Sequence, residues 1–98
     1  MTIDKIMKGT EAVISVTGRI DTNTAPELDK VMREAIKEAD SIVLDLKGTV
    51  YLSSAVLRVI LRAHKSMTAK GGLRIINADK NVMEIFEVTG FADILNIG

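Results

Sequence analysis

Two adjacent serines, Ser53 and Ser54, stand between a short apolar lead-in and a strongly apolar helical pattern in Val50 to Lys65, VYLSSAVLRVILRAHK. Their position sets the chemistry. A helix start leaves backbone N–H groups without intrahelical partners, and a serine hydroxyl accepts from one of them. The same N–H groups and the helix dipole favour negative charge, so the position also suits an anion. A serine here is either a cap or a carrier of a phosphate. Ser53 reads as the cap; for Ser54 both roles stay open, and they are compatible.

Other chemistry finds little support. His64 is the only histidine and Cys is absent, which argues against a metal centre and excludes disulfides and thiol nucleophiles. Lys47-Gly48-Thr49 lacks the upstream glycine and spacing of a phosphate-binding loop. No Gly-x-Ser-x-Gly elbow is present. The chain does not read as an enzyme, and no cofactor is expected. Asp21, in the turn after an early strand, reads as a capping residue of the next helix.

The bulk properties bound the rest. The 98 residues suffice for one domain, 1–98, with one core. Lys and Arg number 13, Asp and Glu 13, so no net charge points to nucleic acid or to a basic partner. A hydrophobic fraction of 47% is that of a folded globular chain. No apolar run reaches the length of a membrane span, and MTIDKIMKGTEA lacks a signal-peptide core. The chain therefore reads as cytoplasmic.

The elements that must position the serines follow from periodicity. Thr2 to Lys8 alternates weakly, as an edge strand does. Ala12 to Thr17 is rich in β-branched residues and predicts a second strand. A hairpin joins them, with a loop that does not read as the ideal two-residue type. Thr22, Asn23 and Thr24 suit a helix start, and Pro26 suits a first turn. Leu28, Val31, Met32, Ala35, Ile36 and Ala39 then form one apolar stripe. The charges on the other side of that helix, among them Asp29, Arg33 and Lys37, read as a solvated face. Ser41 to Leu46, SIVLDL, predicts a central strand shielded on both faces. After the serines, Val56, Val59, Ile60, Ala63 and Met67 form one stripe, and Leu57, Leu61 and His64 a second beside it. Leu73 to Ile76 predicts a strand, and Asp79 to Val88 a short helix ended by Gly90. Phe91 to Ile97 stays unassigned. The order β-β-α-β-α-β-α predicts an α/β domain with a mixed, mostly parallel sheet and helices packed mainly on one face.

Four segments in this order resemble the STAS domain family, in particular bacterial anti-sigma factor antagonists. They are Gly18-Arg19-Ile20-Asp21; IVLDLKGTVYLSS from Ile42 to Ser54; LRVILRAHK from Leu57 to Lys65; and FEVTGFADIL from Phe86 to Leu95. The resemblance implies a switchable binding module. In that family a serine after the central strand is phosphorylated by the anti-sigma factor, itself an ATP-dependent protein kinase. The unphosphorylated antagonist binds the anti-sigma factor and frees the sigma factor, and a protein phosphatase resets the modified form. The phosphoacceptor position falls on Ser54, and the resemblance places the Asp21 carboxylate near it. The implied partner surface comprises Asp21, Thr22, Asn23, Ser53, Ser54, Ala55, Val56 and Arg58. Val56 stands where the family carries Gly, and a stiff β-branched side chain there predicts narrower access to Ser54 or a re-aimed Ser54. The alternative is a STAS scaffold that no longer switches, within a larger signalling or transport-linked assembly.

Overall fold

A computed structural model describes all residues 1–98. The first hairpin pairs β1 (Thr2–Lys8) antiparallel with β2 (Glu11–Ile20). Its loop is two residues long, Gly9-Thr10, between the paired Lys8 and Glu11, which corrects the sequence expectation. Gly9 takes φ +62° there, the left-handed backbone that a tight hairpin turn demands and that glycine adopts without a Cβ penalty.

Helix α1 (Ala25–Glu38) buries Leu28, Met32 and Ala35 and half-buries Val31 and Ile36, the predicted stripe. Its last carbonyls are not left bare: Lys70 Nζ donates to Ile36 O at 2.6 Å and Ala39 O at 3.1 Å. The chain then enters β3 (Ser41–Asp45), which pairs in parallel with β2 on one side and β5 (Leu73–Ile76) on the other. Ile42 and Leu44 belong to the core cluster under the helices. Val43 points to the opposite face and is still only 4% exposed. Shielding on both sides is why this strand reads as a continuous apolar run.

The lead-in to the serines is itself a strand, β4 (Thr49–Leu52), which the periodicity did not reveal. β2 is long enough to serve two neighbours. Its first half, Glu11 to Ser15, pairs with β3 and its last residues, from Gly18, with β4; a register shift between Gly18 and Arg19 lies within that second ladder. Gly18 sits at φ +91°, and such irregularities bend a strand and re-aim its remaining residues. Thr49 is buried, and its Oγ1 donates to Val16 O at 2.7 Å. That bond satisfies a polar group which burial would otherwise leave costly.

Helix α2 (Ser54–Met67) comes directly after β4 and buries Val56, Leu57, Val59, Ile60, Ala63 and Met67. Helix α3 (Lys80–Thr89) starts at Asp79, whose carboxylate accepts from Val82 N–H at 2.9 Å, and ends at Gly90. Val82 and Phe86 are buried, while Met83 and Ile85 are half-buried. The unassigned tail is a 3-10 turn (Phe91–Asp93) and a two-residue strand, β6 (Asn96–Ile97), parallel to β5. The sheet order is β1-β2-β3-β5-β6, with β4 attached to β2. Only the first pair is antiparallel, so the sheet is mixed and mostly parallel. One continuous core joins the helix-facing side of the sheet to all three helices. No helix is long and apolar enough to cross a membrane.

Candidate functional site

The two serines divide the available roles. Ser53 has extended backbone and is 7% exposed, and its Oγ accepts from Val56 N–H at 3.4 Å. It is the N-cap of α2, as the sequence reading assigned. Ser53 N–H donates to Ile20 O at 3.0 Å, which ties the helix start to the end of β2. Ser54 is the first residue of the helix and is exposed. Its hydroxyl stands beside the open N-terminal turn, where the dipole favours negative charge.

The loop between β2 and α1 lies alongside. Asp21 Oδ1 accepts from Asn23 N–H at 3.0 Å and Thr24 N–H at 3.1 Å. Asp21 therefore holds the entry to α1, and of its two readings the capping one has a geometric counterpart. Thr22, Ala25 and Pro26 from this side face Ala55 and Arg58 of α2 across an open cleft of about 580 Å³. Thr22, Ala55 and Arg58 are thus brought together next to Ser54. Asn23 is exposed on the same loop but does not line the cleft.

Val56 is placed elsewhere. Its side chain is 0% exposed and belongs to the core cluster. The expectation that it forms part of the contact surface and narrows access to Ser54 is corrected. At the third helical position the side chain points inward, and Ser54, Ala55 and Arg58 are the residues of this turn left open to solvent. Ser53, committed to its cap and almost covered, offers a partner little more.

The sequence reading also overlooked neighbours. Asp29, assigned to a solvated face, and Arg62, given no role, line the cleft with Arg58. The four-residue step from Arg58 to Arg62 places both on one side of α2 and was the available signal. Arg19 stacks over the Tyr51 ring at 4.3 Å from its centroid, covering the outer side of the β2–β4 pair. Nothing in the local pattern around Arg19 announces that contact.

Comparison with known proteins places this arrangement. The STAS domain profile matches residues 2–98. The chain belongs to the STAS domain family. Among the relatives of this STAS domain, the anti-sigma-B factor antagonist of Listeria innocua is 31% identical over 86 residues, covering 86% of this chain and 75% of that protein. The crystal structure of an anti-sigma factor antagonist from Mycobacterium paratuberculosis matches with a TM-score of 0.89 at 21% identity, covering 98% of this chain and 83% of that one. The Bacillus cell fate determinant SpoIIAA in its phosphorylated form matches with a TM-score of 0.77 at 15% identity, covering 99% and 91%. At these identities the solved structures speak for the fold, a single α/β domain with a six-stranded mixed sheet and three helices. The STAS domain thus leaves Ser54 exposed at the start of α2, next to Ala55 of the cleft lining, while Ser53 is buried in its cap.

Proposed function

We propose that this STAS domain is an anti-sigma factor antagonist, switched off by phosphorylation of Ser54. In this reading it binds an anti-sigma factor of the serine-kinase type and so releases the sigma factor; a protein phosphatase restores the binding form. The relatives' names support the antagonist role. One observation carries the switch: Ser53 supplies the cap and is buried, which leaves Ser54 exposed and free of that duty.

The physics of the modification fits the position. Phosphate adds about −1.5 to −2 charges at neutral pH. At a helix N-terminus an exposed anion gains about 0.3–1 kcal/mol from the dipole, so the modified domain keeps its fold. A partner surface packed on Ser54, Thr22 and Arg58 would have to desolvate that charge, so the modified domain loses its partner. Such an interface buries on the order of 800 Å² per side.

The assay is phosphate incorporation by the cognate kinase, read by intact mass on wild type and Ser54→Ala, with binding measured in parallel. Wild type takes up one phosphate and then releases the partner. Ser54→Ala binds and never releases, and Ser54→Asp mimics release in part, with less charge and fewer oxygens. Equal labelling of Ser54→Ala and wild type would remove Ser54 as acceptor. Binding without labelling of either protein would replace the switch with a non-switching scaffold.

A further inference from the structure

Helices α1 and α2 each come after a strand of the parallel part of the sheet, so they run in the same direction and start at the same end of the molecule. Between them lies an open groove of about 330 Å³, floored by Met32, Ile36, Val59 and Ala63. Its rim is basic. Arg33 and Lys37 stand on the α1 side and Arg62 on the α2 side, all three exposed. The groove joins the cleft beside Ser54, since Asp29, Val59 and Arg62 line both, and Arg58 continues the basic edge to that end.

Four cations therefore face one carboxylate, in a chain whose formal net charge is zero. The carboxylate is Asp29, 2.8 Å from Arg33 Nε and 3.5 Å from Arg62 Nη2 across the groove. Glu34 and Glu38 of the same helix do not offset the excess there, because both turn to Lys5 on β1, at 3.8 and 2.8 Å. A cationic stripe by itself is ordinary solvation. Here it flanks an apolar floor on which Ile36 is left half-exposed. That combination is the complement of an amphipathic helix with acidic flanks: apolar side chains at three- and four-residue steps enter the trough, and carboxylates reach the rim. The lining from Asp29 to Lys37 of α1 gives a trough about 13 Å long, at about 1.5 Å per residue, enough for about two and a half turns of a docked helix.

We propose that the α1–α2 groove docks an acidic amphipathic helix of the partner protein that also engages Ser54. The identity of that partner rests on the antagonist reading above; the chemistry of the groove does not. The incoming carboxylates compete with Asp29 for Arg33 and Arg62. Phosphorylation then acts twice. A phosphate on Ser54 lies one helical turn before Arg58 and draws that guanidinium to itself, and its charge repels the acidic segment.

The test uses a fluorescent peptide of about 16 residues, long enough to reach helical order in water, with Leu on one face and Glu on the other. A control peptide carries Lys in place of Glu. Fluorescence anisotropy should show the acidic peptide held and the basic one ignored. Charge reversal, Arg33→Glu with Lys37→Glu, should weaken the acidic peptide at least about tenfold, as rim charges of opposite sign become like charges. Arg33→Gln with Lys37→Gln should lose less and guards against misfolding of the reversed variant. Binding should also fall steeply as the screening length drops from about 30 Å at ~0.01 M salt to about 3 Å at ~1 M. Equal binding of both peptides, or undiminished binding by the charge-reversed protein, overturns the proposal. The cognate anti-sigma factor separates the two claims. If it binds wild type and the charge-reversed protein alike, the groove proposal falls and the antagonist reading stands. If it ignores wild type while the acidic peptide is held, the antagonist reading falls and the groove stands.

Discussion

Replacing Val56 by Gly tests whether this side chain belongs to the core or to the access path of Ser54. The side chain is 0% exposed, one turn into α2, among buried residues of the sheet and helices. Removing its three carbons forfeits about 2.4 kcal/mol at roughly 0.8 kcal/mol per buried CH₂, before any cavity term. Gly in place of Val weakens the helix by a further few tenths of a kcal/mol. The expected loss is about 2.5–4 kcal/mol, a large share of the roughly 5–15 kcal/mol that holds a domain of this size together. For such a domain each kcal/mol shifts Tm by about 4–8 °C, so the midpoint should drop by about 10–30 °C. Val56→Ala separates the terms: it keeps the helix and loses two carbons, about 1.6 kcal/mol plus the cavity. Urea titration of the three proteins, with an unchanged slope, is the assay. A loss below about 1 kcal/mol for Val56→Gly, with faster phosphorylation of Ser54, would refute the placement and restore the steric reading.

Ser53→Ala should cost about 0.5–2 kcal/mol through loss of the α2 cap, whereas Ser54→Ala should leave stability nearly unchanged; denaturant titration of both distinguishes cap from acceptor. Ile60→Ala should cost about 2–5 kcal/mol, since Ile60 is 0% exposed, and a loss under about 1 kcal/mol would show α2 rotated from the described orientation. The hydrogen bond to Glu38 and the charges of Glu38 and Glu34 raise the Lys5 pKa above its ordinary 10.5. A raised lysine pKa stabilises the fold fully below the unfolded value, and that contribution is lost as pH rises through the folded value. The β1–α1 tie should therefore release only in strongly alkaline solution, and a Lys5 NMR titration with a midpoint at or below that of free lysine would contradict the pairing.

The helices were legible because their signals are local. The stripe from Leu28 to Ala39 and the double stripe from Val56 to Met67 repeat within one element, and burial tracks them closely. The SIVLDL run declared a strand covered on both faces, and Val43 is shielded on the side away from the helices. The Ser53 cap was legible for the same reason: donor and acceptor lie three residues apart.

The features that sequence alone did not decide depend on partners far along the chain. β4 is four residues long, too short for periodicity, and exists because the end of β2, some thirty residues earlier, has an edge for it to pair with. Val56 reads as part of the Ser54 rim because it stands where the resemblance puts Gly, but a helix turns about 100° per residue, and docking on the sheet sent that direction into the core. The charges of Arg33 and Lys37 read as a solvated face of α1, and Arg62 on α2 drew no reading. Composition gave them no weight, since the formal charges cancel over the chain. Tertiary packing of α1 beside α2 gathered them on one groove and sent Glu34 and Glu38 to Lys5. The sequence by itself determined which residues could cap, pack and carry a phosphate. Only the fold decided which of them share a surface, because that depends on the relative placement of elements that no local pattern encodes.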